Sequence, residues 1–304
     1  MSDQTRLSLP LVLDGATGTE YMKAGFPSGD CLEYWASQHP QVVAQVARSY
    51  AQAGSNVVYA PTFLANGGNL KMYGLDDQVH QLNTTLVRTV KEALQGLPVL
   101  VAGDMSTTGL IPEPFGETEF VQLVNLYAEQ ACALAEAGAD LLVVETMSSL
   151  CECRAAVLGS RQTGLPMMVT ITVDGEGRTM WGDDALAALV TLQDMGIFAF
   201  GLNCSQGPED MLAQFQRLAP YAKVPLAAKP NAGNPPLTAV QFSDRCAKLM
   251  RQGVQIIGGC CGTDPTYVSA LRHMVDGFDI SKVQIKPAEY SILAAGKQVY
   301  YLDE

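Results

Sequence analysis

Three cysteine residues have the types and positions needed to bind one metal ion. Cys204 and the adjacent pair Cys260 and Cys261 each follow a short apolar segment of the chain. Thiolate sulfur is a preferred ligand of Zn2+, and three protein ligands leave the fourth tetrahedral position open for water or substrate. The cysteines therefore predict a catalytic zinc site. The alternative is that Cys260 and Cys261 are buried thiols or a vicinal disulfide and that Cys204 is a core residue.

The elements that must position these cysteines alternate regularly along the chain. Eight apolar segments rich in Val, Leu, Ile and Ala predict strands at residues 11–13, 56–60, 98–102, 141–144, 167–172, 198–202, 224–228 and 254–257. Intervening segments predict amphipathic helices at residues 40–53, 79–94, 117–137, 150–163, 185–195, 208–218, 239–252 and 265–275. Strands that are apolar throughout are buried on both faces, and eight of them with eight helices favour a (β/α)8 TIM barrel. We therefore predict a single α/β barrel over residues 1–278 and a C-terminal tail over residues 279–304 that packs on the barrel or on a neighbour.

The active site of such a barrel lies at the carboxyl ends of its strands. In this sequence the polar and thiol side chains that follow the apolar segments lie in residues 14–20, 61–66, 103–104, 145–146, 203–205, 229–233 and 258–263. One strand separates the sixth strand from the eighth, so Cys204 is expected to approach Cys260 and Cys261. Glycines at positions 258, 259 and 262 are expected to free the backbone so that both adjacent sulfurs turn inward.

Three of these motifs, in this order and spacing, resemble the homocysteine S-methyltransferase family. They are Asp14-Gly-Ala-Thr-Gly-Thr-Glu20, Gly201-Leu-Asn203-Cys204-Ser205 and Gly258-Gly-Cys260-Cys261-Gly-Thr263. The resemblance covers nearly the whole chain and is closest to the homocysteine-binding domain of cobalamin-dependent methionine synthase. It implies a (β/α)8 barrel, a Zn2+ held by the three motif cysteines, and methyl transfer to the sulfur of homocysteine, which gives methionine.

The same resemblance implies which residues bind the substrate. The amino acid portion would be held by Asp14, Gly15, Ala16, Thr17, Gly18, Thr19 and Glu145, and Asn203 and Asn231 would shape the site. Zinc coordination would keep the substrate thiol as a thiolate, so no side-chain general base is needed at the sulfur. The methyl group would come from methylcobalamin carried on a separate corrinoid protein or from a small onium donor.

Two segments differ from the pattern of the methionine synthase branch. Residues 104–108 read Asp-Met-Ser-Thr-Thr where the pattern usually continues with Gly-Pro-Thr-Gly. Ser148 and Ser149 follow Glu145 and Thr146, where an acidic residue is often found. A different small thiol, methylated with a corrinoid partner, is therefore an alternative substrate.

Two further functions remain open from the residues alone. Lys229 is predicted to lie at the end of a strand, where a desolvated lysine can form imines with carbonyl substrates, so a Schiff-base lyase is one alternative. The other is a non-catalytic barrel with a structural zinc ion that docks a corrinoid partner. Four protein ligands on the metal would favour that second alternative.

Other residues with reactive side chains are expected to be structural. His39, His80 and His273 fall in or next to predicted helices rather than at strand ends, so we predict no catalytic role for them. Cys151 and Cys153 lie two positions apart in a predicted helix and do not share a face, which argues against a second metal site.

The composition disfavours several classes of protein. The chain has 31 Asp and Glu against 19 Lys and Arg, a net charge of -12 and a pI of about 4.7, which disfavours nucleic-acid binding. A hydrophobic content of 48% with 16% charged residues is typical of a compact enzyme. The sequence also lacks a signal-peptide pattern and a long apolar run, so we expect no membrane partner and a cytoplasmic location. A homo-oligomer is compatible with these features.

Overall fold

Eight strands form one parallel sheet in the structure, a computed structural model that describes residues 7–205 and 207–302. The strands are β1 Leu11–Val12, β2 Val57–Tyr59, β3 Leu100–Met105, β4 Leu141–Met147, β5 Met167–Ile171, β6 Ala199–Asn203, β7 Leu226–Lys229 and β8 Val254–Ile257. Their hydrogen-bonded order is β1-β8-β7-β6-β5-β4-β3-β2, and every adjacent pair is parallel. The predicted (β/α)8 barrel is confirmed.

The helices surround this sheet, and the longer connections to them follow the carboxyl ends of β3 and β5. They are α1 Thr17–Lys23, α2 Leu32–Gln38, α3 Pro40–Gln52, α4 Gly67–Leu70, α5 Val79–Ala93, α6 Phe120–Glu136, α7 Leu150–Ser160, α8 Ala185–Asp194, α9 Leu212–Leu218, α10 Ala239–Met250 and α11 Pro265–Asp276. Proline occupies the first turn of α3 and α11, where its missing N–H costs no hydrogen bond. Asp184 and Asp264 accept hydrogen bonds from backbone N–H groups at the start of α8 and α11.

Hydrogen bonds of both the backbone and the side chains join β1 and β2, the two strands at the ends of this order. The backbone N–H of Asn56 donates to Val12 O at 2.6 Å, and Asn56 Oδ1 accepts from Val12 N at 2.8 Å. Asp14 Oδ2 accepts from Tyr59 N at 2.7 Å. These contacts bridge the seam between the strands, so the barrel depends on a few polar side chains at this point.

Alternating residues of each strand supply two different cores. Val143 belongs to the hydrophobic cluster inside the barrel, whereas Leu142 and Val144 belong to the cluster between the barrel and its helices. The same alternation separates Ala102, inside, from Val101, outside. Both faces of the sheet are therefore apolar, which is why the strands read as continuous apolar segments in the sequence.

Four strands extend beyond the ends that the apolar segments predicted, β3 and β4 by three residues each and β6 and β7 by one. β3 continues to Met105 and β4 to Met147, so Asp104 and Glu145 are strand residues rather than loop residues. Each lies two positions after an interior residue, Ala102 or Val143, and therefore lies on the inward face of its strand. The predicted ends were wrong because a polar side chain at the mouth of a barrel does not interrupt the backbone ladder.

The C-terminal segment forms a separate two-stranded hairpin. β9, Ser291–Ala295, pairs antiparallel with β10, Gln298–Leu302. Ile292 and Val299 pack against the cluster between the barrel and its helices. Across residues 7–205 and 207–302, no helix has the length and hydrophobicity that a membrane crossing requires.

We predict that Asn56→Ala lowers the free energy of unfolding by about 1–3 kcal/mol, because Val12 N and Arg272 Nη1 both donate to Asn56 Oδ1. Urea unfolding followed by circular dichroism measures this change. Asn125→Ala, at an exposed position of α6, is the control and should change stability by less than about 0.5 kcal/mol. Equal effects of the two substitutions would show that the Asn56 side chain does not stabilise the seam.

Candidate metal and substrate site

The sulfur atoms of the three cysteines meet beyond the carboxyl ends of β6 and β8. The Sγ atoms of Cys204, Cys260 and Cys261 all lie within 4.8 Å of one another, and those of Cys204 and Cys261 are 3.5 Å apart. No other three His, Cys, Asp or Glu side chains in the described part of the chain are close enough to share an ion. Three converging sulfur donors fit the ligand preference of Zn2+.

Cys204 reaches this position through an unusual backbone conformation. Its φ angle is +59°, a region that costs a residue with a Cβ atom about 1–3 kcal/mol. Two hydrogen bonds hold the residue there. Its N–H donates to Lys229 O at 3.1 Å, and its carbonyl accepts from Asn231 Nδ2 at 2.5 Å. Asn231 therefore positions a cysteine, and its buried Oδ1 has no hydrogen-bond partner among the residues that the structure describes.

The loop after β8 presents the adjacent Cys260 and Cys261 on the same side. Cys260 N donates to Pro230 O at 2.8 Å, and Cys261 O accepts from Ala232 N at 2.9 Å, so the loop after β7 supports both residues. Thr263 Oγ1 also donates to Cys260 O at 2.7 Å. The two adjacent sulfurs are therefore held by backbone contacts on either side.

The glycines of this loop have two different roles, which corrects the sequence-based expectation. Only Gly262 has a positive φ, at +81°. Gly258 and Gly259 are needed for space, because a Cβ atom would lie 2.7 Å from Leu13 Cβ at the first position and 2.3 Å from Thr263 Oγ1 at the second. The backbone approaches its neighbours closely at these two positions rather than turning freely.

The thiol cluster is prepared to carry negative charge. Hydrogen bonds from the thiols of Cys204 and Cys260 lower the pKa of Cys261 to about 3. One sulfur is thus a thiolate at neutral pH, and two further sulfurs adjoin it. A divalent cation would displace the remaining protons, since thiolates rather than thiols bind metals.

Lys229, at the end of β7, lies inside the barrel between two carboxylates. Its Nζ is 3.1 Å from Asp14 Oδ1, 3.4 Å from Glu145 Oε2 and 3.7 Å from the centroid of the Tyr59 ring. The lysine side chain is only 3% exposed. Burial alone would lower the pKa of Lys229, but the charges of Asp14 and Glu145 raise it above its usual value. A Schiff base requires the neutral amine, so this geometry argues against a lyase.

Three buried polar groups in the barrel mouth have unused hydrogen-bonding capacity. Among the described residues, Asp104 Oδ1 and the Tyr59 hydroxyl have no hydrogen-bond partner, and Glu145 Oε2 has only Lys229 Nζ, at 3.4 Å. Burial, together with the negative charge of Glu145, raises the pKa of Asp104 well above its usual range. A buried polar group without a partner costs about 1–3 kcal/mol, so these atoms favour a polar ligand in the mouth. Because two of the three groups are carboxyls, the ligand they suit best is a hydrogen-bond donor such as an ammonium group.

Asn203 is completely buried and fixes the end of β6 to its neighbours. Its Oδ1 accepts from Thr146 N and from Thr170 Oγ1, both at 2.9 Å, and its Nδ2 donates to Thr146 Oγ1 at 2.7 Å. Thr146 has a φ of +59°, next to the register shift between β4 and β5. Asn203 thus holds the strained backbone beside Glu145 and precedes Cys204 in the chain.

The segment from Asp14 to Thr19 divides into an interior part and a helical part. Asp14 is buried beside Lys229, and Gly15 is packed so that a Cβ atom would lie 2.9 Å from Thr263 Oγ1. Ala16 N donates to Thr263 O at 3.2 Å. Thr17, Gly18 and Thr19 form the first turn of α1 and are partly exposed. The expected substrate loop is therefore a loop only as far as Ala16.

The segment that departs from the family pattern is held by a buried glutamate. Thr107 Oγ1 donates to Glu152 Oε2 at 2.8 Å, and Thr108 donates to Glu152 Oε1 through both N, at 2.8 Å, and Oγ1, at 2.7 Å. Tyr127 also donates to Glu152 Oε1, at 3.2 Å. Glu152 in α7 therefore accepts the hydrogen bonds that Thr107 and Thr108 of this unusual segment donate.

Sequence reasoning missed several residues of this site. Asp104 and Thr146 were recognised only as residues at strand ends, Tyr59 and Thr170 were not assigned to the site, and Lys229 was given a role only in the lyase alternative. The two-residue spacing of Asp104 from Ala102, and of Lys229 from the interior Ala227, was a usable signal. No local signal identified Thr146 or Thr170, since both act through Asn203 of another strand.

Eight parallel strands that carry a three-thiol cluster at their carboxyl ends define a TIM-barrel protein with a candidate thiolate metal site. A family model described as homocysteine S-methyltransferase matches residues 11–275. The chain therefore belongs to the homocysteine S-methyltransferase family, and membership supports a methyltransferase activity.

Curated relatives and solved structures agree with this family. Methionine synthases of Mycobacterium tuberculosis and Mycobacterium leprae are each 32% identical to the chain, over 286 and 285 residues, and each match covers 85% of this chain. The chain spans 24% of the length of either relative. The homocysteine methyltransferase MmuM from Escherichia coli, in its oxidized form, is 25% identical with a TM-score of 0.75, over 86% of this chain and 95% of that one. The metallated form of MmuM, at 24% identity and a TM-score of 0.74 over 88% and 97% of the two chains, supports the fold.

We predict that Lys229→Met lowers the free energy of unfolding by about 3–5 kcal/mol at pH 7.5, because Asp14 and Glu145 lose their cation while remaining buried. The substitution raises the folded-state pKa of both carboxyls further. A raised folded pKa contributes stability below the unfolded pKa, and that contribution is lost as the pH rises through the folded pKa. The deficit relative to the wild type should therefore shrink as the pH falls from 7.5 to 5.

Urea unfolding of both proteins at the two pH values measures this difference. Lys223→Met is the matched control, since Lys223 forms an exposed ion pair with Asp194 and should contribute about 0–1 kcal/mol. A loss for Lys229→Met that is the same at both pH values would contradict the assignment of Lys229 as the counter-ion of the two carboxylates.

Proposed function

We propose that this chain is a zinc-dependent homocysteine S-methyltransferase that forms methionine from homocysteine and a methyl donor. The observation that carries the proposal is the three-sulfur cluster of Cys204, Cys260 and Cys261 at the mouth of a barrel whose interior holds the polar groups an amino acid needs. Family membership and the methionine synthase relatives support the same reaction.

The proposed zinc ligands are the three sulfur atoms of this cluster. The donor set suits Zn2+, and among the His, Cys, Asp and Glu side chains of residues 7–205 and 207–302 none joins the cluster as a fourth ligand, so a substrate thiol has a position to occupy. Zn2+ bound there would lower the pKa of the substrate thiol and keep its sulfur nucleophilic. The existence of a metallated form of MmuM supports metal use on this fold.

The proposed pocket for the amino acid portion lies inside the barrel mouth. Asp104 Oδ1 is a buried acceptor without a partner among the described residues, and Glu145 Oε2 pairs only with Lys229 Nζ, at 3.4 Å. Both oxygens suit the substrate ammonium group. Burial raises the pKa of Asp14 and of Glu145, and the adjacent Lys229 ammonium group opposes that rise and holds both side chains in place. Asn203 positions the strand that carries Glu145, through its bonds to Thr146.

The proposed partner of the substrate carboxylate is the first turn of α1. Thr17, Gly18 and Thr19 begin this helix, and its N-cap residue Ala16 makes no side-chain cap. Thr17 N donates to Gly15 O at 3.0 Å, so the N–H groups of Gly18 and Thr19 are the ones proposed to face the substrate. Free N–H groups at the start of a helix attract a carboxylate. The Asp14–Thr19 segment would thus use Asp14 inside the barrel and backbone groups at its rim.

The chain's own residues need supply no proton transfer at the sulfur. The thiolate sulfur forms a bond to the methyl carbon while the bond between that carbon and its carrier breaks, and the carrier keeps the electron pair. The interior contacts to the ammonium group would orient the sulfur for this attack, which is the main contribution that positioning makes. The sulfur and the barrel's C-terminal face must remain accessible to the donor.

The donor is proposed to be methylcobalamin on a separate corrinoid protein or a small onium compound. Methionine synthases about four times as long as the matched region support the first, since the chain spans 24% of either one. MmuM, 95% of which is covered by this chain, supports a donor that a single barrel domain can use alone. The two donors are distinguished by measuring, for each one separately, the transfer of a radiolabelled methyl group to homocysteine.

We predict about one zinc per wild-type chain by elemental analysis and its loss in Cys204→Ser, because one of three ligands is removed. Titration of the wild type with homocysteine in weak buffer should release about one proton per site as the thiol becomes a thiolate. Cys151→Ser, which changes a cysteine outside the cluster, is the control and should keep both properties. Zinc without homocysteine binding would indicate another thiol, and absence of zinc would refute the metal site.

We predict that Glu145→Gln weakens homocysteine binding by about 10- to 100-fold while zinc content is unchanged, because a charged hydrogen bond to the substrate ammonium is lost. Isothermal titration with homocysteine and with 4-mercaptobutanoate, which lacks the amino group, measures this. The two thiols should differ much less in the variant than in the wild type. Glu136→Gln, at an exposed ion pair with His80, is the control. Equal weakening for both thiols would place the amino group elsewhere.

A further inference from the structure

The peptide group between Glu145 and Thr146 lies at an interruption of the barrel's hydrogen-bond ladder. The pairing of β4 with β5 goes from Val144 directly to Met147 and passes over the two residues between them. The pairing of β4 with β3 ends at Val144. A peptide group inside a protein needs hydrogen-bond partners for its N–H and its C=O. The partners of this peptide must therefore come from elsewhere in the barrel.

Two buried side chains supply these partners. Ser106 Oγ donates to Glu145 O at 2.8 Å, and Asn203 Oδ1 accepts from Thr146 N at 2.9 Å. Ser106 directly follows β3 and Asn203 ends β6, and the two residues are 1% and 0% exposed. The C=O and N–H of a trans peptide point in opposite directions. The two bonds together therefore fix the orientation of the peptide plane.

The orientation that they fix is strained. Thr146 has a φ of +59°, which is unfavourable for a β-branched residue. Relaxation of this angle turns the Glu145–Thr146 peptide and therefore changes the backbone of Glu145 as well. It would also break the bonds from Ser106 and to Asn203. The two side chains thus oppose a relaxation that would displace Glu145.

Ser106 is itself held in place from two helices. Tyr127 in α6 donates to Ser106 O at 3.1 Å. The next two residues, Thr107 and Thr108, donate through their hydroxyls to the buried Glu152 in α7. All three belong to residues 104–108, the segment that departs from the family pattern. This segment therefore presents the Ser106 hydroxyl from a fixed position.

The side chain of Glu145 depends on this peptide for its position. Its Oε2 lies 3.4 Å from Lys229 Nζ, and the side chain is only 12% exposed. Lys229 thus holds the end of the side chain, whereas Ser106 and Asn203 hold the backbone from which it extends. A binding group must be kept within about 0.5 Å of its productive position, so loss of either support should weaken recognition.

We propose that Ser106 is a positioning residue for Glu145 and that, together with Asn203, it makes the site selective for thiols that carry an amino group. This inference rests on the methyltransferase function proposed above, in which Glu145 receives the substrate ammonium group. The Ser106 hydroxyl is directed to a backbone carbonyl, so it acts through Glu145 and not on the substrate.

A first test requires no substrate. In Ser106→Ala, the Thr146 amide proton should exchange with solvent about three- to tenfold faster, because the peptide has lost one of its two fixed points. The Thr172 amide, which donates to Met147 O, is the internal reference and should be unchanged. NMR of the 15N-labelled protein measures both rates. Ser160→Ala, at a buried serine whose hydroxyl has no partner in the described part of the chain, is the matched control. Unchanged exchange at Thr146 in Ser106→Ala would overturn the positioning role.

A second test measures selectivity by isothermal titration with homocysteine and with 4-mercaptobutanoate, which lacks the amino group. Ser106→Ala should weaken homocysteine binding by about three- to tenfold, the range of one hydrogen bond. Its zinc content and its affinity for 4-mercaptobutanoate should equal those of the wild type, and Ser160→Ala should change none of these values. An equal loss of affinity for both thiols would contradict the proposal, because it would show a general structural role.

The failures of the two proposals are distinguishable. A wild type that binds neither thiol would refute the proposed function, and the exchange of the Thr146 amide would still decide whether Ser106 holds the peptide. A wild type that prefers homocysteine to 4-mercaptobutanoate by a ratio that Ser106→Ala leaves unchanged would refute the role of Ser106 and leave the methyltransferase proposal intact.

Discussion

A buried ammonium group between two carboxylates connects the closure of the barrel with the geometry of its candidate site. Lys229 pairs with Asp14, whose other oxygen accepts a hydrogen bond from Tyr59 N across the seam between β1 and β2. The backbone carbonyl of the same lysine accepts from Cys204 N. One residue thus contributes to the charge balance of the interior, to the seam and to the placement of a sulfur atom. Removal of any partner leaves a buried charge, which is far more costly than an exposed one.

The fold could be predicted because its strands are apolar on both faces. Residues such as Leu142, Val143 and Val144 pack alternately outside and inside the barrel, so the strand reads as one apolar segment with no polar interruption. The ends of the strands could not be predicted in the same way. Asp104 and Glu145 continue their strands because the barrel mouth accommodates charge, and single-sequence hydrophobicity does not separate an inward carboxyl from a loop.

The candidate metal site was predictable to a greater extent than the pocket for the amino acid. Three cysteines at strand ends are a distinctive combination, and strand order alone places two neighbouring regions of a barrel together. The contacts of Asn203 with Thr146 and Thr170 depend on the detailed register of β4, β5 and β6. Thr146 and Cys204 have positive φ angles, which are predicted from sequence only where the residue is glycine. These backbone conformations are stabilised by tertiary hydrogen bonds, so the neighbouring sequence does not predict them.

The candidate site and the C-terminal hairpin involve different layers of the molecule. Carboxylates and Lys229 lie on strands inside the barrel, where a changed side chain disturbs the core and the seam. Phe115 and Trp181 lie on loops, and their contact with Lys297 involves only an exposed hairpin beyond the family region. Loops tolerate change better than barrel strands because fewer buried groups depend on them. The barrel itself is shared both with a segment of long methionine synthases and with the short MmuM, whereas the hairpin lies beyond the matched residues 11–275.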